Sequence, residues 1–194
     1  MAVGHKACGD VGLRQVGRMC LMYSSEMSIM HALFTIMDKK ALPDVTMREI
    51  AQEAGVSRAT LYRHFSSPED IVRRWLRELC RKVVTDQDSW EPNSREAILH
   101  AFTVLYEERD TLRCLARQGL DHEVARAMYD ATLYQVRRLD VLHSNYQIYY
   151  FAGASMGLLS CWTRGGMKEN PEEITDIFIE LLHGYMDVHG SRDQ

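Results

Sequence analysis

Residues 58–64, RATLYRH, bring basic and hydroxyl side chains together within two turns of a predicted helix. Side chains of these types can contact both the phosphates and the base edges of DNA. Their spacing matches no catalytic or metal-binding motif, so the chemistry that they indicate is recognition rather than catalysis. The residues concerned are Arg58, Thr60, Tyr62, Arg63 and His64.

The segment before this helix predicts a second, shorter helix that ends in a tight turn. Thr46 is suited to cap the helix, and Glu49, three residues later, completes a capping box. Ile50 and Ala54 give the helix an apolar stripe, and Gly55 can adopt the left-handed conformation that ends it.

The second helix is predicted to begin after Ser57 as its N-cap and to bury Leu61 and Phe65. Two short helices joined in this way form a helix-turn-helix, which places its second helix in the major groove of DNA. An ordinary helical hairpin is the alternative, because helices joined by a glycine turn are common in all-α proteins.

The flanking residues favour the first interpretation. The run VSRATLYRHFSSPEDI, residues 56–71, resembles the DNA-binding domain of the tetracycline-repressor (TetR) family, and the resemblance is strong over residues 25–80. It implies a bacterial transcriptional regulator, more often a repressor, that binds an operator as a homodimer and responds to a small molecule or a protein partner. The DNA-binding residues that it implies are Thr46, Arg48, Ser57, Arg58, Thr60, Tyr62, Arg63 and His64. Of these, Arg58, Thr60, Tyr62 and Arg63 are expected to face the groove, while Thr46, Arg48 and His64 approach phosphates.

Two positions depart from the family pattern. Lys40 stands where many relatives have glycine, so the resemblance does not imply the family's glycine geometry for the turn that follows the first helix. Pro68 stands where the next helix often carries a phosphate-binding lysine, which puts one backbone contact in doubt.

Apolar periodicity predicts an all-α fold throughout, with a three-helix N-terminal domain and a larger helical body. Residues 1–24 are expected to be a disordered extension or to precede the true start of translation. A basic arm in the minor groove is the alternative. The helix-turn-helix domain is predicted over residues 25–68, a connecting helix over 69–86, and an effector-binding and dimerisation domain over 87–194.

The net charge of −4 conceals an uneven distribution. Residues 40–82 hold nine Lys and Arg against six Asp and Glu, whereas residues 83–194 hold ten against eighteen. A mildly basic module joined to an acidic body is expected if one end of the molecule meets phosphate. Chance clustering on solvated helix faces is the alternative.

Other functional classes have little support in the sequence. The five cysteines are scattered without a C-x-x-C pair, which argues against a disulfide framework or a zinc site and suggests the reducing cytoplasm. The chain has neither a phosphate-binding glycine loop nor a nucleophile elbow. We therefore expect no enzymatic activity, cofactor, metal or membrane association.

The C-terminal part predicts a pair of helices with small residues. Residues 148–162 carry no charge, and Gly153 and Gly157 leave a surface that another helix can approach closely. The stretch 151–173 is similar to the dihydroxyacetone-kinase operon regulators within the family, whose members dimerise through two such helices. The implied interface residues are Gly153, Met156, Gly157, Ser160, Ile174, Ile177, Phe178 and Leu181.

Aromatic residues of the body could surround a mostly apolar ligand pocket, although many aromatics at helical spacing simply fill a core. The resemblance favours the pocket, and the residues proposed for it are Phe102, Tyr106, Tyr129, Tyr149 and Tyr150. The related regulators include one that acts as an activator through protein partners. A transcriptional activator or coactivator switched by a protein is therefore the alternative to a ligand-responsive repressor.

Overall fold

The computed structural model of the protein describes residues 25–85, 94–138 and 144–190. Within these ranges every regular element is helical, which confirms the predicted all-α fold. The extension predicted over residues 1–24 and the domain boundary predicted at residues 86–87 lie outside the described residues. None of the described helices is long and apolar enough to cross a membrane.

The helices follow one another with short connections. A first helix, α1, spans residues 25–37, and a 3₁₀ turn follows at Leu42–Asp44. The remaining helices are α2 (Met47–Glu53), α3 (Arg58–His64), α4 (Pro68–Thr85), α5 (Arg95–Glu107), α6 (Arg109–Arg117), α7 (Asp121–Arg138), α8 (Asn145–Arg164) and α9 (Pro171–Gly190).

The chain divides into two compact units, one ending at Arg73 and the other beginning at Arg74, so that α4 contributes to both. In the first unit, the apolar positions that recur at helical spacing in α1 are buried. Ile29, Leu33 and Met37 are at most 2% exposed, as are Ile50 of α2 and Leu61 of α3.

Capping groups fix the ends of α2 and α3, as the sequence predicts. The Thr46 side chain accepts a hydrogen bond from the Glu49 amide, and the Glu49 carboxylate accepts one from the Thr46 amide at 2.9 Å. Gly55 has a φ of 65°, in the left-handed region, and the Val56 amide donates to the Ala51 carbonyl at 3.0 Å. These bonds satisfy backbone groups that a helix end leaves without partners.

Lys40 forms a turn contact that the family pattern did not suggest. Its Nζ lies 2.9 Å from Glu49 Oε1 and 3.0 Å from Oε2, so it joins the turn after α1 to the first turn of α2. The hydrogen bond from Lys40, followed by those from the side chain and amide of Thr46, lowers the pKa of Glu49 from 4.5 to about 2.

In the second unit, α7 packs along α8 and α5 packs along α9. An aromatic cluster joins α5, α8 and α9. The Phe102 ring meets those of Trp162 and Phe178 edge to face at centroid distances of 5.5 and 5.7 Å, and Tyr106 stacks on Trp162 at 6.2 Å. Offset and edge-to-face geometries are the favoured arrangements of aromatic pairs.

The loop between α8 and α9 is held at several points. Arg113 of α6 donates from Nη2 to the Gly166 carbonyl at 2.6 Å, and Trp162 Nε1 donates to the Glu169 carbonyl at 3.1 Å. Met167 is 2% exposed and has a φ of 51°, which is uncommon for a residue with a Cβ atom. These contacts fix the position from which α9 begins.

The depressed pKa of Glu49 predicts a pH-dependent contribution to stability. Because the carboxylate form is favoured in the folded state, the contribution is complete above about pH 4.5 and is lost as the pH falls towards about 2. In Glu49→Gln this group no longer titrates. We expect the difference in unfolding free energy between wild type and variant to shrink over that interval, as measured by chemical denaturation.

Lys40→Met is the matched control, since it keeps Glu49 and its capping bonds but removes the largest cause of the shift. The titration of Glu49 should move back towards 4.5 in this variant. If the unfolding free energy of the wild type exceeds that of Glu49→Gln by the same amount at every pH between about 4.5 and 2, the low pKa of Glu49 is contradicted.

Candidate nucleic-acid interface

The orientation of α3 is set by what it buries. Leu61 is fully buried and Phe65, directly after the helix, is 3% exposed. The Ser57 hydroxyl caps the helix by accepting from the Thr60 amide at 3.1 Å and lies 2.9 Å from the Thr60 hydroxyl. The helix therefore has a fixed start and a fixed inner face.

Around the buried Leu61, α3 presents the side chains that the family resemblance assigned to the groove. Arg58 and Arg63 are exposed, and Tyr62 is 59% exposed although it is a large aromatic residue. Thr60 is half-buried and its hydroxyl is engaged with Ser57, which leaves its methyl group as the part suited to an apolar contact. The structure thus brings all four of these residues onto one short helix.

The two predicted phosphate contacts of α2 differ in their surroundings. Arg48 is exposed in the first turn. Thr46 is also exposed, but its hydroxyl donates to Glu49 Oε2 at 2.7 Å and its amide donates to the same oxygen at 2.9 Å. A phosphate would have to displace the Glu49 carboxylate from Thr46, so Arg48 is better placed for the contact.

His64 does not have the open position expected of a phosphate ligand. Its side chain is 4% exposed, and its Nδ1 lies 3.1 Å from Glu26 Oε1 of α1. Its Nε2 lies 3.4 Å from Arg63 Nη2. The imidazole is therefore enclosed between two charged side chains of the first unit, and contact with a phosphate would require it to leave them.

Much of the positive charge in residues 40–82 is paired locally. Glu78 lies 2.9 Å from Arg81 Nε and 3.7 Å from Arg74 Nε, and Lys82 Nζ lies 2.8 Å from Glu108. Such exposed pairs contribute little to stability, but they reduce the field that DNA would experience. The arginines of α2 and α3 consequently account for more of the expected attraction to phosphate than the charge count suggests.

The five aromatic residues predicted to line a ligand pocket lie partly in the aromatic cluster and partly on exposed positions of α8. Phe102 and Tyr106 pack into the aromatic cluster with Trp162, and Tyr129 is half-buried. Tyr149 and Tyr150 are 49% and 57% exposed on α8. Two of the five residues are thus exposed on α8 and two contact Trp162, and a pocket shared by all five stays a prediction.

A different cleft lies between α6, α7 and α8. It has a volume of about 120 Å³ and a mostly apolar lining, with Arg113, His122 and Arg164 among its polar residues. Sequence reasoning missed it, because the small residues that leave the space belong to three separate helices. Its apolar lining includes Leu112, Val124, Ala125, Met156, Leu159 and Met167.

The eight residues predicted for the dimer interface divide into two groups. Gly153, Gly157, Ile177 and Leu181 are exposed, and a Cβ atom added at either glycine would meet nothing within 4 Å. The others face inwards in the single chain: Met156 and Ser160 line the cleft, Ile174 is 3% exposed, and Phe178 contacts Phe102 and Phe151.

The part of the chain that the structure describes contains no group of three or more His, Cys, Asp or Glu side chains that could hold a metal ion. Burial raises the pKa of the Cys80 thiol to about 11, so that it stays protonated at neutral pH. A protonated thiol is a poor nucleophile.

Two family models match the chain. Residues 29–74 match the model described as bacterial regulatory proteins, tetR family, and residues 92–184 match the model described as transcriptional regulator C-terminal region. The uncharacterized HTH-type transcriptional regulator YxbF of Bacillus subtilis (strain 168) is 23% identical over 171 residues, which are 82% of this chain. The chain spans only 45% of the length of that relative.

Solved structures share the fold at low sequence identity. The dihydroxyacetone kinase operon activator DhaS matches with a TM-score of 0.64 at 16% identity, over 84% of this chain and 97% of the other. A complex of SmeT with triclosan matches with a TM-score of 0.56 at 16% identity, over 81% and 90% of the two chains. The similarity extends over both units of the chain.

Proposed function

The chain belongs to the TetR family of bacterial regulatory proteins, and we propose that it represses transcription by binding a palindromic operator as a homodimer. The observation that carries this proposal is the exposure of Arg58, Tyr62 and Arg63 on a short helix whose other face is buried. We further propose that a small apolar effector controls DNA binding.

The chemistry of α3 suits the major groove. Arginine can donate two hydrogen bonds to the edge of guanine, and a threonine methyl group can contact the methyl group of thymine. Tyr62 adds an exposed aromatic ring and a hydroxyl group next to Arg63. We infer that Thr60 and Tyr62 contribute to sequence preference, whereas Arg48 contributes affinity through the phosphate backbone.

The double variant that combines Thr60→Ala with Tyr62→Ala tests whether α3 reads the DNA sequence. Each good base contact contributes roughly 1–3 kcal/mol, so we expect affinity to fall by at least about 30-fold. The DNA duplex that the wild-type protein enriches from a randomised library is titrated with each protein, and fluorescence anisotropy reports the binding. Circular dichroism should report unchanged helical content.

Tyr134→Ala is the matched control, because Tyr134 has the same 59% exposed fraction as Tyr62 but lies on α7 of the other unit. Its affinity should equal that of the wild type. An unchanged affinity in the Thr60 and Tyr62 double variant would mean that α3 does not read the DNA.

Homodimerisation is supported by an apolar, small-residue surface on α8 and α9. Gly153, Gly157 and Cys161 are exposed at helical spacing on α8, and Ile177 and Leu181 are 39% and 61% exposed on α9. Contiguous apolar patches of this kind mark interaction sites in soluble proteins. A two-fold dimer would place its recognition helices about 34–36 Å apart, matching successive major grooves on one side of the duplex.

Gly157→Arg should prevent this dimer, because it inserts a long charged side chain where two backbones are expected to approach closely. In the single chain nothing lies within 4 Å of an added Cβ atom, so the fold itself should tolerate the change. Light scattering should report a monomer, and DNA affinity should fall steeply. Glu123→Arg, at an exposed position of α7, should remain a dimer. A wild-type protein that is monomeric at micromolar concentration would rule the interface out.

The cleft between α6, α7 and α8 supports the effector proposal. A comparably small apolar cavity in another protein, about 150 Å³, binds benzene, so a cleft of about 120 Å³ suits a small, mostly apolar molecule. Helix α8 lines the cleft with Met156 and Ser160, and the exposed Gly153 and Gly157 precede them by three positions on the same helical face. A ligand that displaces α8 would therefore alter the surface proposed for dimerisation.

The effector site can be tested with a thermal-shift screen of small amphipathic molecules. Ala125→Phe should fill the cleft and remove the shift produced by any genuine hit. A hit that weakens DNA binding must itself bind more weakly, by the same factor, when DNA is present. Equal affinity for the hit with and without DNA, measured by calorimetry, would contradict the coupling.

Control by a protein partner is the second candidate. It is favoured by exposed tyrosines, since Tyr146 is 90% exposed and Tyr149 and Tyr150 are about half exposed on α8. Tyrosine is enriched at the energetic centres of protein interfaces. The structural relative DhaS is named as an operon activator. A positive effect on transcription that requires a second protein would favour this candidate over a repressor.

A further inference from the structure

We propose that Glu26, which lies in α1 outside the helix-turn-helix, positions Arg63 for DNA through His64. The inference rests on the proposed DNA-binding function of α3. It would make a residue that does not itself contact DNA a determinant of affinity.

The three side chains form a continuous series. Glu26 Oε1 lies 3.1 Å from His64 Nδ1, and His64 Nε2 lies 3.4 Å from Arg63 Nη2. The His64 side chain is 4% exposed and that of Glu26 is 21% exposed, so the first contact is largely shielded from water. Glu26 and His64 are 38 residues apart in the sequence.

The chemistry of the two ends fixes the direction of the hydrogen bonds. A carboxylate only accepts and a guanidinium only donates. His64 Nδ1 must therefore carry a proton to donate to Glu26, and in the neutral ring Nε2 is left as the acceptor for Arg63. The geometry assigns the Nδ1–H tautomer to neutral His64. If Nε2 carried the proton instead, Nδ1 would offer a lone pair to Glu26 and Nε2 would present its proton to a cation.

The contact between His64 Nε2 and Arg63 Nη2, at 3.4 Å, is long for a hydrogen bond. It therefore restrains the arginine without holding it rigidly. Arginine has five N–H donors, so one bond to the imidazole leaves others for a phosphate or a guanine. A long side chain that is already restrained loses less conformational freedom on binding. Glu26 thus supports DNA affinity by keeping the His64 ring in the orientation that Arg63 needs.

Simple electrostatics predicts the opposite effect, which makes the proposal easy to test. Glu26 is an anion in the DNA-binding unit, so removal of its charge alone should strengthen attraction to phosphates. If Glu26 acts as a positioning residue, Glu26→Ala should instead weaken binding by about 2- to 10-fold, the range expected for restraint of one long side chain.

The test measures affinity for the duplex that the wild-type protein enriches from a randomised library. Glu53→Ala is the matched control, since it removes one exposed carboxylate of the same unit, at the end of α2. We expect Glu53→Ala to bind as tightly as wild type or more tightly, and Glu26→Ala to bind more weakly. Glu26→Gln keeps an acceptor oxygen and should recover part of the loss.

A double-mutant cycle separates positioning from a general structural effect. In an Arg63→Ala background, Glu26→Ala should no longer weaken DNA binding, and the affinity should be unchanged or higher because only the loss of the negative charge remains. If Glu26→Ala lowers DNA affinity by the same factor with Arg63 present and with Arg63→Ala, the proposal is overturned. It is also overturned if Glu26→Ala and Glu53→Ala change DNA affinity in the same direction and by the same factor. If Glu26→Ala is poorly folded, the cycle is carried out with Glu26→Gln.

Nitrogen NMR of the His64 ring in the full-length protein tests the hydrogen-bond order without DNA. The wild type should give the Nδ1–H tautomer, and Glu26→Ala should shift it towards Nε2–H. An Nε2–H ring in the wild type would overturn the inference even if α3 reads DNA. If the wild-type protein enriches no duplex, the proposed DNA-binding function is refuted. The tautomer measurement then still decides whether Glu26, His64 and Arg63 are hydrogen-bonded in the proposed sequence.

Discussion

The burial of Leu61 and Phe65 is the constraint on which the DNA-binding unit depends. The two residues are four positions apart, so they lie on one side of a helical turn and determine which side of α3 faces outwards. Arg58, at the first position of the helix, and Tyr62, next to Leu61, are both exposed. A helix of seven residues has little stability of its own, and its packing and its Ser57 cap maintain it.

The sequence was sufficient for features determined by near neighbours. Thr46 with Glu49, Gly55 and Ser57 act within three or four residues of their partners, and the structure contains each of these caps and turns. Capping rules and helical periodicity describe such local relations directly. The all-α class followed from the same periodicity, and the turn in which Lys40 replaces glycine gained an ion pair that no local rule suggested.

Contacts between residues that lie far apart in the sequence could not be predicted from the sequence. His64 was expected at a phosphate because its residue type and position suit one, but its partner Glu26 belongs to another helix. Phe102 and Tyr106 are of residue types that can line a pocket, but they pack in a core because Trp162 occupies the space beside them. The exposed and buried faces of α8 could not be distinguished either, since residues 148–162 are uncharged on every side.

In the proposed function, two copies of α3 read a symmetric site on DNA. The most direct measurement is selection of duplexes from a randomised library by the wild-type protein, followed by sequencing of the enriched pool. We expect an inverted repeat whose half-sites are centred about one helical turn, or 10–10.5 base pairs, apart. Enrichment of a single asymmetric motif would contradict the two-fold dimer, and the absence of any enriched sequence would contradict sequence-specific DNA binding.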